Sequence, residues 1–170
     1  NNQNPVAFWS DILNEMKIRV VNKSDNKLII PKKKSLLVIA NHPFGIIDGL
    51  ILCSLISQFR NDFKIMTHET LQFLPQLEQF ILPVDFSGKT RDSKILNMQT
   101  AKAAKKHLCN NGALIIFPSG GVSVARSLRS EAIDDEWKNF PAKLIQQTKT
   151  DVIPIYFDGK NGLLFHLFAS

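Results

Sequence analysis

The run Leu36-Leu37-Val38-Ile39-Ala40, apolar at every position, constrains this chain more than any other feature. A strand with one wet face alternates apolar and polar residues, whereas an unbroken apolar run belongs to a strand covered on both faces. Further short apolar runs fall at Phe63–Met66, Ile81–Val84, Ala113–Phe117 and Val152–Phe157. Between them lie stretches with helical spacing at 48–59, 93–109 and 137–148. Ser93 reads as the N-cap of the second of these, and Gly112 lies just beyond its end. Strands alternating with helices of this length specify an α/β domain with a largely parallel central sheet flanked by helices, a mixed sheet being the variant left open. Residues 5–20 predict one more helix, with Phe8, Trp9, Ile12, Leu13, Met16 and Val20 on its apolar face. Packing against the domain's own core is its default use, and lying in a membrane interface is the alternative suggested by Phe8 and Trp9. Leu28-Ile29-Ile30 reads as a short strand ahead of a turn at Pro31 and three lysines.

A single domain spanning residues 1–170 accounts for the whole chain, because no repeat, low-complexity tract or Pro/Gly/Ser linker divides it. Hydrophobic residues make up 44% and charged residues 21%, which excludes a disordered chain. The net charge of +6 suits an anionic partner: a phosphorylated substrate, an acidic lipid surface or nucleic acid. Lys32-Lys33-Lys34 is the one tight basic run and reads as a solvated turn, with anionic headgroups as the sharper alternative. Cys53 and Cys109 are far apart and read as two buried free thiols, which fits a reducing compartment. The most apolar stretch, residues 46–56, contains Asp48 and is well short of the ~20 residues a spanning helix needs. A still apolar LLFHLFAS follows the last strand, so the expectation is a fragment truncated at the C-terminus.

The chemistry concentrates in NHPFGIIDGL, residues 41–50, directly after the buried run. Ligands of open α/β sheets collect at the carboxyl ends of strands. Pro43 holds His42 extended at the strand tip, and Gly45 permits a sharp turn. Asp48 then opens the next helix, either as its N-cap or as a carboxylate reaching back to His42. A histidine oriented by a carboxylate is a general base suited to neutral pH. Phe117-Pro118-Ser119-Gly120-Gly121 also follows a buried run and should emerge on the same sheet edge. Adjacent glycines there would let backbone N–H groups approach a phosphate or an oxyanion, or would simply make a strand-to-helix turn.

NHPFGIIDG, LPVDFSGKTR, FPSGGVS and VIPIYFDG, in that order, resemble the glycerolipid acyltransferase superfamily, and within it the hemolysin-related, lysophospholipid-acyltransferase-like branch. The resemblance runs from about Leu28 to near the C-terminus and implies a glycerolipid-acyltransferase-like fold. It implies His42 as catalytic base and Asp48 as its partner, with acyl-CoA or acyl-ACP (acyl carrier protein) as co-substrate and no other cofactor. It also implies a lysolipid-like acceptor with a free hydroxyl. Lys89 and Arg91 of the second block are implied near the acceptor's polar head, where Arg91 offers a bidentate clamp. Phe117, Pro118, Ser119, Gly120 and Gly121 of the third are implied in acceptor binding, and Pro154 belongs to the fourth. Two departures stand out. Five residues separate His42 from Asp48 where four are common, and Ser119 replaces an acidic residue, which argues against a glycerol-phosphate acceptor. The implied setting is cytoplasmic, with peripheral association to the inner face of a membrane.

Other motifs fail on inspection. Gly88-Lys89-Thr90 ends like a P-loop, but Pro83 stands where its first glycine belongs. His68-Glu69 begins like a zinc-protease helix, but Gln72 takes the second histidine position. His107 and His166 have no ligand-spaced companions, so no metal is expected. Ser119 and Ser123 lack the flanking glycines of a nucleophile elbow, which disfavours a serine acyl-enzyme. The competing functions are a thioesterase or lipid hydrolase using the same His–Asp pair, and a non-catalytic lipid-binding module. No nucleic-acid module is present in the sequence.

Overall fold

The computed structural model describes residues 5–24, 28–73, 75–125 and 131–162. Its centre is a five-stranded, all-parallel sheet of order β3-β2-β4-β1-β7, built from β1 (Leu36–Ala40), β2 (Phe63–His68), β3 (Ile81–Val84), β4 (Ala113–Ile116) and β7 (Asp151–Ile155). A short antiparallel pair, β5 (Val124–Ala125) with β6 (Ala132–Ile133), stands apart from it. The unbroken apolar character of β1 has its cause here. Leu36, Val38 and Ala40 join one core cluster with Leu52, Cys53 and Ile56, while Leu37 joins another with Ala104, Leu108 and Leu144.

Those partners place the helices. α1 (Pro5–Glu15) and α2 (Ile46–Ser57) cover the first face, and α3 (Arg91–Cys109) and α4 (Phe140–Thr148) the second. α1 packs on the core as expected, through Trp9, which lies among the rings of Phe8, Phe63 and Phe80. It stops short of the expected residue 20. Lys17 adopts a left-handed conformation (φ 56°), Ile18 N–H returns to Leu13 O at 2.9 Å, and Met16 and Val20 are left exposed. Local hydrogen bonding at the C-terminus outweighed the apolar periodicity. Leu28–Ile30 pairs with no strand among the described residues, although Ile30 is buried against the first core.

The expected cap of α3 also moves, because Thr90, not Ser93, accepts a hydrogen bond from the Ser93 N–H at 3.0 Å. Cys53 is buried, which pushes its thiol pKa up, but Cys109 at the end of α3 is exposed. The apolar tail LLFHLFAS and His166 lie outside the described residues. Among the described residues, no helix is long and apolar enough to cross a membrane.

One polar group is built into the amino-terminal side of the sheet. Arg60, 4% exposed, follows α2 and donates to the carbonyls of Pro31, Lys34 and Asn111 while pairing with Asp62 at 2.7–2.8 Å. Three loops that carry no secondary structure of their own are thereby tied to one guanidinium.

Candidate functional site

The order of the strands decides where a site can form. From β1 the chain passes through α2 to β2, on one side of β4. From β4 it passes through α4 to β7, on the other side of β1. The connections leaving the adjacent strands β1 and β4 therefore diverge to opposite faces, which opens a crevice at their carboxyl ends. His42 follows β1 and Phe117 follows β4, and their rings stack across this crevice with centroids 3.9 Å apart and planes at 23°.

Gly45 (φ 66°) makes the turn after Pro43, and α2 begins at Ile46. An added Cβ at Gly45 would also press on Val122 at 3.3 Å. Asp48 thus sits in the first turn of α2 and is not its N-cap. The wholly buried carboxylate reaches back instead, accepting from Phe44 N–H at 2.8 Å and meeting His42 Nδ1 at 3.0 Å, both through Oδ2. An ionised carboxylate is an acceptor only, so Nδ1 carries the proton of this contact and Nε2 keeps its lone pair. Nε2 has no hydrogen-bond partner among the described residues, while the imidazole retains 17% exposure. Asp48 Oδ1 is buried without a partner among the described residues.

Residues that the sequence reading did not single out hold this histidine by its backbone. Asp134, on the segment between β6 and α4, accepts from His42 N–H at 3.0 Å, from the Ser123 hydroxyl and from Trp137 Nε1 at 2.9 Å. Ser123 N–H donates to His42 O at 2.8 Å. Asn41 exchanges two hydrogen bonds with the backbone of Phe157, at 2.7 and 2.9 Å, and Asn161 reaches Pro43 O at 2.9 Å. The first, third and fourth sequence blocks are thus joined around one strand tip. Nothing local announces Asp134, which lies 92 residues from His42. Pro154 lies opposite Ile39 in β7, an edge strand, where a missing N–H is tolerated.

A cavity of about 460 Å³ lies on the α3–α4 face; Phe117 is part of its wall, whereas His42 and Asp48 are not among its lining residues. All five residues from Phe117 to Gly121 line it, with Phe86, Asn97, Lys138 and Phe140 among the others. Gly120 requires its positive φ of 73°, but Gly121 has open space around it and no such requirement. Gly120 N–H is spent on Phe117 O at 3.1 Å, and the Ser119 hydroxyl turns back onto Gly121 O at 2.8 Å. Gly121 N–H has no partner among the described residues. Lys89 and Arg91 are exposed on the loop before α3 and at its first residue, and neither lines the cavity. Among the described residues, no group of three or more His, Cys, Asp or Glu side chains is arranged to hold a metal ion.

Comparison with known proteins agrees with this architecture. The chain is 28% identical over 144 residues to a lyso-glycine lipid O-acyltransferase of Phocaeicola vulgatus, covering 83% of this chain and 48% of the relative. It is 28% identical over 143 residues to the protein of the same name from Bacteroides thetaiotaomicron, covering 83% and 49%. The chain thus spans about half the length of these curated relatives. The acyltransferase family pattern matches residues 18–158, a span that takes in β1, the His42–Asp48 pair, the cavity and β7, and the chain belongs to the glycerolipid acyltransferase family.

Proposed function

We propose that this protein transfers a fatty acyl group from a thioester, acyl-CoA or acyl-ACP, to the hydroxyl of a lysolipid-like acceptor. The observation that carries this reading is the 3.0 Å contact of His42 Nδ1 with the buried Asp48, which leaves Nε2 unpartnered among the described residues on a ring stacked against Phe117 of the cavity wall. In the proposed reaction the acceptor hydroxyl attacks the thioester carbonyl while Nε2 takes its proton. Asp48 stabilises the imidazolium so formed. Collapse of the tetrahedral intermediate expels the thiolate, which takes the proton back from His42, so no group on the enzyme is consumed. Water attacking in place of the acceptor would make the protein a hydrolase.

Lyso-glycine lipid, the acceptor in the relatives' name, is the first to test. Mass spectrometry should detect the doubly acylated lipid when it is supplied with an acyl thioester. Release of free fatty acid alone, at the same rate with and without acceptor, would replace transfer by hydrolysis.

Lys89 and Arg91 stand at the carboxyl edge of the sheet, outside the cavity lining, so their proposed role is with the outer part of the acceptor's head. Arg91→Ala is expected to raise the acceptor's KM with little change in the donor's, because a headgroup contact is mainly ground-state binding. Equal effects on the two substrates would remove this assignment.

Asp134 is proposed as a positioning residue, since it touches the backbone of His42 and not the ring. Asp134→Ala should lower kcat by up to about 10²-fold, because small misplacements of a reacting group are costly. KM should change little, and Asp134→Asn, which keeps an acceptor for His42 N–H, should restore part of the loss. A drop in thermal stability with kcat unchanged would mean that Asp134 only secures the loops.

A further inference from the structure

The net charge of this chain is not spread over its surface. Residues 85–109, the loop after β3 and the whole of α3, carry the exposed Lys89, Arg91, Lys94, Lys102, Lys105 and Lys106 against Asp85 and Asp92. Six cations less two anions leave four of the chain's +6 in this segment. None of the six takes part in an ion pair among the described residues. The buried side of α3 carries Ser93, Thr100, Ala104 and Leu108. On the open side, Arg91, Ile95, Met98, Lys102 and Lys105 or Lys106 follow one another at steps of three and four, so they form a single stripe. Ile95 is 39% and Met98 52% exposed at the middle of that stripe, with cations on either side.

Such a face suits lipid: the apolar pair can enter the acyl boundary while the flanking lysines and arginine stay at phosphate depth. The same helix turns Asn97 and Ala101 toward the cavity, and Phe86, 49% exposed, stands in the cavity wall. A surface lying along α3 would therefore border the opening through which an acceptor must enter. Asp85 and Asp135 in the cavity wall are the nearby acids.

We infer that the exposed face of α3, with the loop that precedes it, is the face on which this protein docks to an anionic lipid surface. The inference rests on the lipid-acceptor reading only for its purpose, because docking can be measured whether or not transfer occurs. Co-sedimentation with vesicles of phosphatidylcholine, alone and with phosphatidylglycerol added, should show binding that requires the anionic lipid and falls as salt is raised.

Replacing Lys102, Lys105 and Lys106 together by Gln should weaken that binding about 10²-fold, at roughly five-fold per charge. Replacing Lys32, Lys33 and Lys34 by Gln removes the same charge from the turn before β1, outside α3, and should change binding far less. Met98→Gln should weaken the binding that persists at high salt. Equal binding to neutral and anionic vesicles, or equal losses in the two triple variants, would overturn the assignment. So would an α3 face that retains an acidic protein but no vesicle of either composition. Transfer to detergent-dispersed acceptor is followed in parallel. Vesicle binding without any transfer by the unaltered protein would defeat the proposed reaction and leave the docking face standing.

Discussion

Replacing His42 with alanine is expected to lower turnover by about 10²–10⁴-fold, the usual worth of a positioned general base. The fold should survive, since the imidazole packs on Phe117 at the edge of the crevice and the backbone bonds of residue 42 remain. Asp48→Asn should also be severe for turnover, because an amide can hold the ring in the wrong tautomer and cannot balance the imidazolium. Its effect on stability should run the other way or be nil. The carboxylate is wholly buried and its Oδ1 has no partner among the described residues, so a neutral side chain of the same shape relieves an unfavourable burial. Asn can still offer an oxygen to Phe44 N–H, which keeps the turn. The double variant should be little worse than His42→Ala alone, as groups acting as a unit are strongly non-additive. Rates of acyl transfer beside thermal melts decide the matter. A well-folded Asp48→Asn protein with unchanged turnover would reduce Asp48 to a shaper of its loop and end the proposed dyad.

Arg60→Leu is expected to destabilise the protein by about 3–5 kcal/mol, the range seen when one partner of a buried polar cluster is removed. The loss comes from the carbonyls of Pro31, Lys34 and Asn111, left without their donor in a place where the guanidinium was 1% exposed. The ion pair itself adds little, because Asp62 is 53% exposed and its field is screened by water. Arg60→Lys should recover only part of the stability, since one ammonium cannot serve three carbonyls and a bidentate carboxylate. Turnover per folded molecule should be unaffected, as Arg60 lies at the end of the sheet opposite His42.

The pH dependence has a definite sign. The hydrogen bond from Arg60 holds the Asp62 pKa below its ordinary 3.8. A lowered folded-state value means that the contribution is complete above the unfolded pKa and is lost as pH falls through the folded one. The stability gap between the parent and Arg60→Leu should therefore narrow as pH falls through the folded-state pKa of Asp62. Chemical denaturation at neutral and acid pH measures both effects, and an Arg60→Leu midpoint equal to the parent's would mean that water replaces the guanidinium at all three carbonyls.

The α/β class and the sheet's strands were legible in the sequence, because strand burial is written into consecutive residues: a strand covered on both faces has no polar position to spare. The His42–Asp48 contact was legible for a related reason. The two residues are close along the chain, and Pro43 and Gly45 limit the paths between them. Local signals failed where a few backbone bonds were decisive. α1 ended at Glu15 on a left-handed Lys17, Thr90 took the cap of α3 expected at Ser93, and Leu28–Ile30 found no strand to pair with among the described residues.

What only the tertiary structure decided was everything that depends on strand order. No residue in β1 or β4 states that they are neighbours, so neither the crevice between their ends nor the His42–Phe117 stack can be read along the chain. The same is true of Asp134, one acid in the run Asp134-Asp135-Glu136, singled out only because the fold brings it to His42 N–H. It is true also of the α3 face, which faces outward only because Ser93, Thr100, Ala104 and Leu108 pack inward. Burial and turn chemistry act between near neighbours and leave their mark in sequence. Proximity between distant segments is a property of the packed sheet, and it is there that this site and its docking face were made.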